Sequence, residues 1–249
     1  MQRKKIVIVG ASSAIAEQCA RLWAEDPAVD FVLVGRTLAK LELISADLCV
    51  RNPQSHITNW QVDFIDPVKI KAVVDAIVQT GKVDIVLIAQ GSLPDQRQCQ
   101  ENLSLCSEAL SINSISPVLF AEAFLGHMQK ENSGTLAIIG SVAGDRGRKS
   151  NYIYGAAKSL LACYVQGISH RLAKTKVKVI LVKPGPTDTP MTTHFKQQGL
   201  RLASAKTVAC DILGAIKSGK SVIYTPARWF FIMKMVQYIP QFIFKKMDV

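Results

Sequence analysis

Tyr154 and Lys158 lie four residues apart, and Ser141 lies thirteen residues before Tyr154. On a helix, positions four apart share a face, so this spacing sets a phenol beside an ammonium. Tyr152, six residues from Lys158, falls off that face and is expected to pack in the core or line a pocket. A tyrosine hydroxyl has a reference pKa of about 10, too high for ready proton exchange near neutrality. A unit charge about 4 Å away contributes on the order of 4 kcal/mol at an effective dielectric of about 20. That is roughly three pKa units at about 1.4 kcal/mol each. Lys158 can thus make Tyr154 a usable proton donor, and Ser141 can hydrogen-bond an oxygen on which charge develops. The same pair on a solvated helix would be surface decoration worth roughly a few tenths of a kcal/mol. The elements that carry these residues decide between the two readings.

Short β-branched runs alternate with longer helical patterns. Strands are expected at 5–10, 30–35, 56–63, 83–89, 134–141, 177–185 and 221–225. Helices are expected at 13–25, 37–50, 66–80, about 104–130, 151–173 and 203–217. Asp66 followed by Pro67 reads as an N-cap with proline at the first helical position. Strands separated by helices pair in parallel through right-handed crossovers. Their near-continuous apolar runs suit strands covered on both faces. The fold class is therefore α/β, a doubly wound parallel sheet of about seven strands with helices on both faces. One domain is expected over 1–225, with a helical appendage over 226–249.

Ligands bind such sheets beyond the C-terminal ends of the strands. Gly10, Ala11, Ser12 and Ser13 follow the first strand; Gly35 and Arg36 the second; Asp63 and Phe64 the third. Ala89, Gln90 and Gly91 close the fourth, Ser141 the fifth, and Pro184, Gly185, Pro186 and Thr187 the sixth. Tyr154 and Lys158 begin the helix that follows Ser141. The polar and glycine-rich residues thus collect on the edge where a ligand belongs.

This set resembles the short-chain dehydrogenase/reductase family over residues 5–225. The resemblance rests on Ser141, the YxxxK pair Tyr154 and Lys158, Asn113 in the preceding helix, and "PGPTDT" at 184–189. It implies a Rossmann fold, a nicotinamide cofactor and reduction of a ketone to an alcohol. Asn113, Ser141, Tyr154 and Lys158 are then the catalytic residues, with Asn113 holding a water that relays protons to Lys158. Lys158 would also bind the nicotinamide ribose. Gly10, Ser12, Ser13, Ile15, Arg36, Asp63, Phe64, Ala89, Gly91, Tyr154, Lys158, Pro184, Gly185 and Thr187 are the implied cofactor contacts. Among them Asp63 would meet the adenine amino group and Thr187 the carboxamide. Two positions depart from the family pattern: alanines, Ala14 and Ala16, stand where it has glycines, and the family's Asn-Ala-Gly is here Ala89-Gln90-Gly91.

An NAD site usually carries an acid at the end of the second strand. Here the chain reads Gly35-Arg36-Thr37, with no acid before Glu42. A guanidinium pairs with a 2′-phosphate that a carboxylate would repel, so NADPH/NADP is expected ahead of NADH.

The chain of 249 residues is 49% hydrophobic and 20% charged, a composition that excludes a disordered chain. Its net charge of +11 suggests anionic partners: nucleotide, nucleic acid or membrane surface. No interleaved basic and aromatic motif supports nucleic acid outside the C-terminal segment. The six cysteines lack zinc-ligand spacing and are expected to be buried free thiols in a reducing compartment. His56, His127, His170 and His194 are scattered, so no metal is expected. The opening "KKIVIVGAS" has too short an apolar run for a signal peptide.

Residues 229–244 hold six of the seventeen aromatics, and Lys234, Gln237, Gln241 and Lys245 form one narrow polar stripe. Asp248 is the single acid against six basic residues over 217–249. The segment reads either as a helix packed on its own domain or across a dimer, or as an interfacial membrane helix. The basic loop "DRGRKS" (145–150) is either solvated or meets a phosphate on the substrate. The tail, this loop and "GASSAIA" resemble the decaprenylphosphoryl-2-keto-ribose reductase branch, which implies a keto-sugar or lipid-linked substrate. The expected location is the cytoplasm, at the inner face of the membrane, as a homodimer or homotetramer. The same fold also serves non-enzymatic NADP(H)-binding scaffolds, a class that turnover of a ketone would separate from an enzyme.

Overall fold

The computed structural model describes residues 3–193 and 199–247, so His194 and Asp248 lie outside the described residues. Seven parallel strands form the central sheet: β1 (Lys4–Val9), β2 (Val29–Gly35), β3 (Ile57–Gln61), β4 (Ile85–Ile88), β5 (Thr135–Ile139), β6 (Lys178–Pro184) and β9 (Val222–Thr225). Their order is β3-β2-β1-β4-β5-β6-β9. The order reverses between β1 and β4, which opens a crevice at the strand ends there. Two further strands, β7 (Thr187–Asp188) and β8 (Ala203–Ser204), make a small parallel pair that periodicity did not reveal, since two-residue strands leave no pattern.

Helices α1 (Ala14–Trp23), α2 (Leu38–Arg51), α3 (Pro67–Gln79), α4 (Gln96–Glu101), α5 (Leu103–Leu110), α6 (Ser116–Lys130), α7 (Tyr152–Arg171) and α8 (Ala205–Ser218) cover the sheet. Each face has its own apolar core. Phe120, Phe124, Leu161 and Val165 pack against Val7, Val86 and Ile138 on one side. Ile15, Leu41, Leu48 and Ile212 pack against Ile6, Ile8, Phe31 and Leu87 on the other. Alternate residues of one strand serve opposite cores, which explains the unbroken apolar runs. Asp66 caps α3 as expected, its Oδ1 accepting from the N–H groups of Val68 (3.0 Å) and Lys69 (3.1 Å).

The expected helix over about 104–130 is instead α5, a single π-helical turn (Ser111–Ile115) and α6. By length and composition the run Leu103–Lys130 could cross a membrane, and more than half of its most apolar stretch is buried inside the fold. Beyond β9 come α9 (Arg228–Tyr238) and α10 (Gln241–Phe244), separated by Pro240. Trp229 and Met233 turn α9 inward: Met233 is 1% exposed, and the Trp229 indole lies against Gly185, where an added Cβ would overlap the ring. The opposite side of the same segment leaves Phe231, Met235, Tyr238 and Phe242 exposed. The inward side is therefore packed on its own domain, as one of the two readings expects.

The cysteines depart from expectation. Cys19 and Cys99 are buried, Cys106 is partly buried, and Cys49, Cys163 and Cys210 are exposed. All six are free thiols. The exposed three sit on the outward faces of surface helices, where composition alone does not reveal orientation.

Candidate active site

The ends of strands β1 to β6 build the site. Gly10 ends β1 with φ of 77°, a left-handed conformation, and a Cβ there would lie 2.5 Å from the Gln90 nitrogen. Only glycine tolerates both demands. Ser13 then caps α1 without using its side chain, so N–H groups of the first turn remain available beside Ser12 and Ser13.

Ser141 follows β5 and starts a short 3-10 turn (Val142–Asp145), its Oγ accepting from the Ala143 N–H at 3.1 Å. This turn packs tightly on α7. A Cβ on Gly144 would lie 2.7 Å from the Lys158 carbonyl carbon, and one on Gly155 would lie 2.9 Å from the Ala143 oxygen. Two glycines therefore let the serine turn and the tyrosine helix approach closely, a requirement that spacing alone did not disclose. Tyr154 and Lys158 share a face of α7, with the Lys158 Nζ 5.8 Å from the Tyr154 ring centre. Lys158 is buried and donates to the Ile139 carbonyl at 3.0 Å.

Asn113 sits in the π-helical turn and is fully buried. Its Oδ1 accepts from the Ser92 N–H at 3.0 Å, and its Nδ2 donates to the Ala109 carbonyl at 2.8 Å. A π turn adds a residue to the helical repeat and re-aims one side chain. Here it brings Asn113 beside Gly91, which Lys158 flanks from the other side.

Burial governs the electrostatics. It pushes the Tyr154 phenol above its ordinary value, and a hydrogen bond with the Ser141 side chain pulls the other way. Burial lowers Lys158 to about 8. The expectation was that the charge of Lys158, with that of oxidised nicotinamide, loosens the tyrosine proton; here burial is the larger influence and Ser141 supplies the opposing pull.

One cavity of about 470 Å³ joins these parts. Gly10, Ser12, Ser13, Ile15, Arg36 and Phe64 line it, as do Ala89, Gly91, Ser141, Tyr154, Lys158, Pro184, Gly185 and Thr187. Asn113 stands behind Gly91 instead of on the wall. Asp63 lines a neighbouring hollow with Arg36 and Gln61, and its Oδ1 accepts from the Ile65 N–H at 3.1 Å. Tyr152 is 42% exposed and belongs to neither core nor cavity wall, against expectation; it is the first residue of α7, off the face that carries Tyr154 and Lys158. Sequence reasoning missed Lys40, Leu93, Asn151 and Met191 on the cavity wall.

The short chain dehydrogenase family model matches residues 4–199. The chain belongs to the short-chain dehydrogenase family. An uncharacterized oxidoreductase of Staphylococcus epidermidis is 31% identical over 195 residues, covering 77% of this chain and 81% of its own. Among solved structures, a short-chain dehydrogenase from Sphingobium yanoikuyae in complex with NADPH is similar at TM-score 0.81 and 22% identity, covering 96% of this chain and 97% of that one. A 3-oxoacyl-[acyl-carrier protein] reductase from Brucella melitensis in complex with NAD is similar at TM-score 0.79 and 20% identity, covering 90% and 96%. These structural likenesses concern the fold. Membership makes the chain an oxidoreductase of a family that binds NAD(P).

The cavity fits a dinucleotide. The Gly10 turn, packed on the Gln90 backbone, leads straight into α1, whose N-terminus with free N–H groups suits a diphosphate. Ala16 is buried in the helix–sheet contact, so the alanine there costs no packing, and Ala14 lines the cavity. Arg36 lies 5.9 Å from the Phe64 ring centre, and Gln61 holds the Arg36 carbonyl at 3.0 Å. No cluster of three or more metal-binding side chains occurs among the described residues.

Proposed function

We propose that this short-chain dehydrogenase is an NADPH-dependent reductase that converts a ketone to an alcohol. The observation that carries the reading is the meeting of Ser141, Tyr154 and Lys158 on one wall of a cavity whose other end holds Arg36. A bound nicotinamide would supply the hydride to the carbonyl carbon. Ser141 donates a hydrogen bond to the substrate oxygen, where negative charge develops. Tyr154 gives that oxygen its hydroxyl proton, completing the alcohol. Lys158, fixed by the Ile139 carbonyl, supports the phenolate electrostatically and returns a proton to it. Asn113 has one oxygen lone pair left after its bond to Ser92, enough to hold a water on the path to Lys158. Arg36 takes the 2′-phosphate, with Lys40 adding charge nearby. Asp63, bordering the adjacent hollow, would receive the adenine amino group.

The substrate we favour is lipid-linked, a keto-sugar among the candidates, met on the cytoplasmic side of a membrane. The exposed apolar side of α9 and α10 supports that choice. The test is NADPH consumption against a panel of ketones. Tyr154→Phe should bind NADPH as the wild type does and lose turnover by roughly two to four orders of magnitude. Near-native turnover in that variant would remove Tyr154 as the proton donor.

A further inference from the structure

The loop after Ser141 is held from two sides. Asp145 accepts from Lys183 Nζ at 2.5 Å and from the Tyr224 hydroxyl at 2.9 Å. Arg146 donates to the Val236, Gln237 and Ile239 carbonyls at the end of α9, and its guanidinium lies 3.9 Å from the Phe244 ring centre. Between these anchors and α7, Arg148 turns inward and lines the cavity with Ser141, Asn151 and Tyr154.

Among the described residues, no carboxylate forms an ion pair with Arg148. Its Nε is shut off from solvent without a hydrogen-bond partner. Its Nη2 meets the Met233 sulfur at 3.7 Å, a weak acceptor. Asp145 is the acid whose field reaches it, and that carboxylate is committed to Lys183 and Tyr224. Burial lowers the affinity of Arg148 for its proton, the mark of a cation lacking compensation. The Asn151 Oδ1 beside it is likewise buried and unpartnered. A half-buried guanidinium whose Nε is sealed from solvent without a hydrogen-bond partner is costly, and an anion arriving in the cavity would relieve that cost.

The position separates this charge from the cofactor's. Arg36 follows β2 and Arg148 follows β5, with β1 and β4 between. Three strand spacings of about 4.8 Å put roughly 14 Å of sheet edge between the two strand ends. Arg36 therefore cannot serve an anion beside Ser141, and Arg148 stands at the substrate end.

Resting on the reductase reading above, we infer that Arg148 is a substrate-binding residue that takes an anionic group, carboxylate or phosphate, on the ketone substrate. The guanidinium fork suits either oxyanion. The Asn151 Oδ1, an acceptor, suits a hydroxyl of the substrate beside that anion and not the anion itself, and Met233 contacts the arginine from α9.

The test is calorimetric titration of inorganic phosphate and, separately, malonate into the full chain, with and without saturating NADPH. With NADPH saturating, which covers Arg36 and the α1 N-terminus, we expect one saturable site for phosphate, for malonate or for both, and the stronger of the two names the substrate's anion; without NADPH, the site that Arg148→Gln weakens is the one that counts. Arg148→Gln should weaken that site roughly 10- to 100-fold. Arg148→Lys, which keeps the charge without the fork, should fall between. NADPH affinity should be unchanged in both variants. No saturable site in the wild type, or equal anion affinity in a folded Arg148→Gln protein, would overturn the inference. Should Arg148→Gln fail to fold, Arg148→Lys with wild-type affinity for both anions would overturn it too. Failure of NADPH to bind would instead sink the reductase reading, while the cofactor-free titrations would still decide on Arg148.

Discussion

Lys158 donates from Nζ to the main-chain oxygen of Ile139 at 3.0 Å, where β5 ends. The buried ammonium is thus held by a carbonyl, which orients it without neutralising it. Burial brings its pKa down to about 8. The sign of the linkage follows from that direction. Below about 8, Lys158 carries its proton in both folded and unfolded chains, and the burial penalty is fully present. From about 8 up to the unfolded value of 10.5, the unfolded chain holds the proton that the folded chain has released. Stability from this group therefore rises with pH across that window.

Lys158→Met removes the buried ammonium and should lose that rise. The stability difference between wild type and variant should change by on the order of 2–3 kcal/mol across the window, measured by urea unfolding without cofactor. Other lysines and tyrosines titrate in both proteins and cancel in the difference. Parallel pH curves would show that Lys158 does not titrate there.

Arg36→Ala should weaken NADPH by roughly 10- to 100-fold and NADH by little, since only NADPH carries the 2′-phosphate. The Arg36 guanidinium sits over Phe64 at the mouth of the cavity, so its loss leaves the nicotinamide end untouched. Fluorescence titration of both cofactors reads the ratio. Equal losses would remove Arg36 from phosphate recognition.

Much of this was legible in the residues because the pattern is local. Alternating β-branched and helical segments predicted the seven-stranded sheet, and the strand ends collected Gly10, Arg36, Ser141 and Gly185 on one edge. What stayed hidden depends on contacts between distant segments. Gly144 and Gly155 look like ordinary small residues until the serine turn is seen packed on α7. Asn113 was expected in a regular helix, and hydrophobic spacing is too coarse to register one extra residue in a π turn. Tyr154 was expected to be tuned by its nearest cation, yet desolvation, which no linear spacing reports, dominates it. Lys183 did leave a signal, as a charge after the apolar run 179–182 of β6, whose other lysine, Lys178, sits at the strand's exposed start. Its partner Asp145 lies 38 positions away and needed the fold to be found.

Asp145 and Lys183 form a buried ion pair, with side chains 2% and 10% exposed. Tyr224 donates to the second carboxylate oxygen, so the acid is satisfied on both sides. Asp145→Asn would leave Lys183 without its counter-charge and should destabilise the protein by about 3–5 kcal/mol. The double variant Asp145→Asn with Lys183→Met should recover most of that loss, because an unpaired buried charge costs more than an absent pair. Thermal unfolding of the two single variants and the double variant forms the cycle. An additive double variant would mean that the two groups do not interact.

Phe231, Met235 and Tyr238 point outward from α9 at spacings of four and three, and Phe242 continues the exposed surface on α10. Lys234, Lys245 and Lys246 lie in the same segment. An apolar face beside basic side chains suits the surface of an anionic membrane, where insertion and charge attraction act together. Truncation after Thr225 is a poor test, since it would also remove Trp229 from Gly185 and Met233 from Arg148. Replacing Phe231, Met235, Tyr238 and Phe242 with serine keeps those inward contacts. The wild type should co-sediment with liposomes containing acidic lipid at low salt, and less so at high salt as charge attraction is screened. The fourfold serine variant should stay in the supernatant with an unchanged melting temperature and unchanged NADPH binding. Changing Lys234, Lys245 and Lys246 to glutamine should weaken binding at low salt and flatten its salt dependence. If wild type and serine variant sediment alike, this surface does not meet lipid, and the choice of a lipid-linked substrate loses its support.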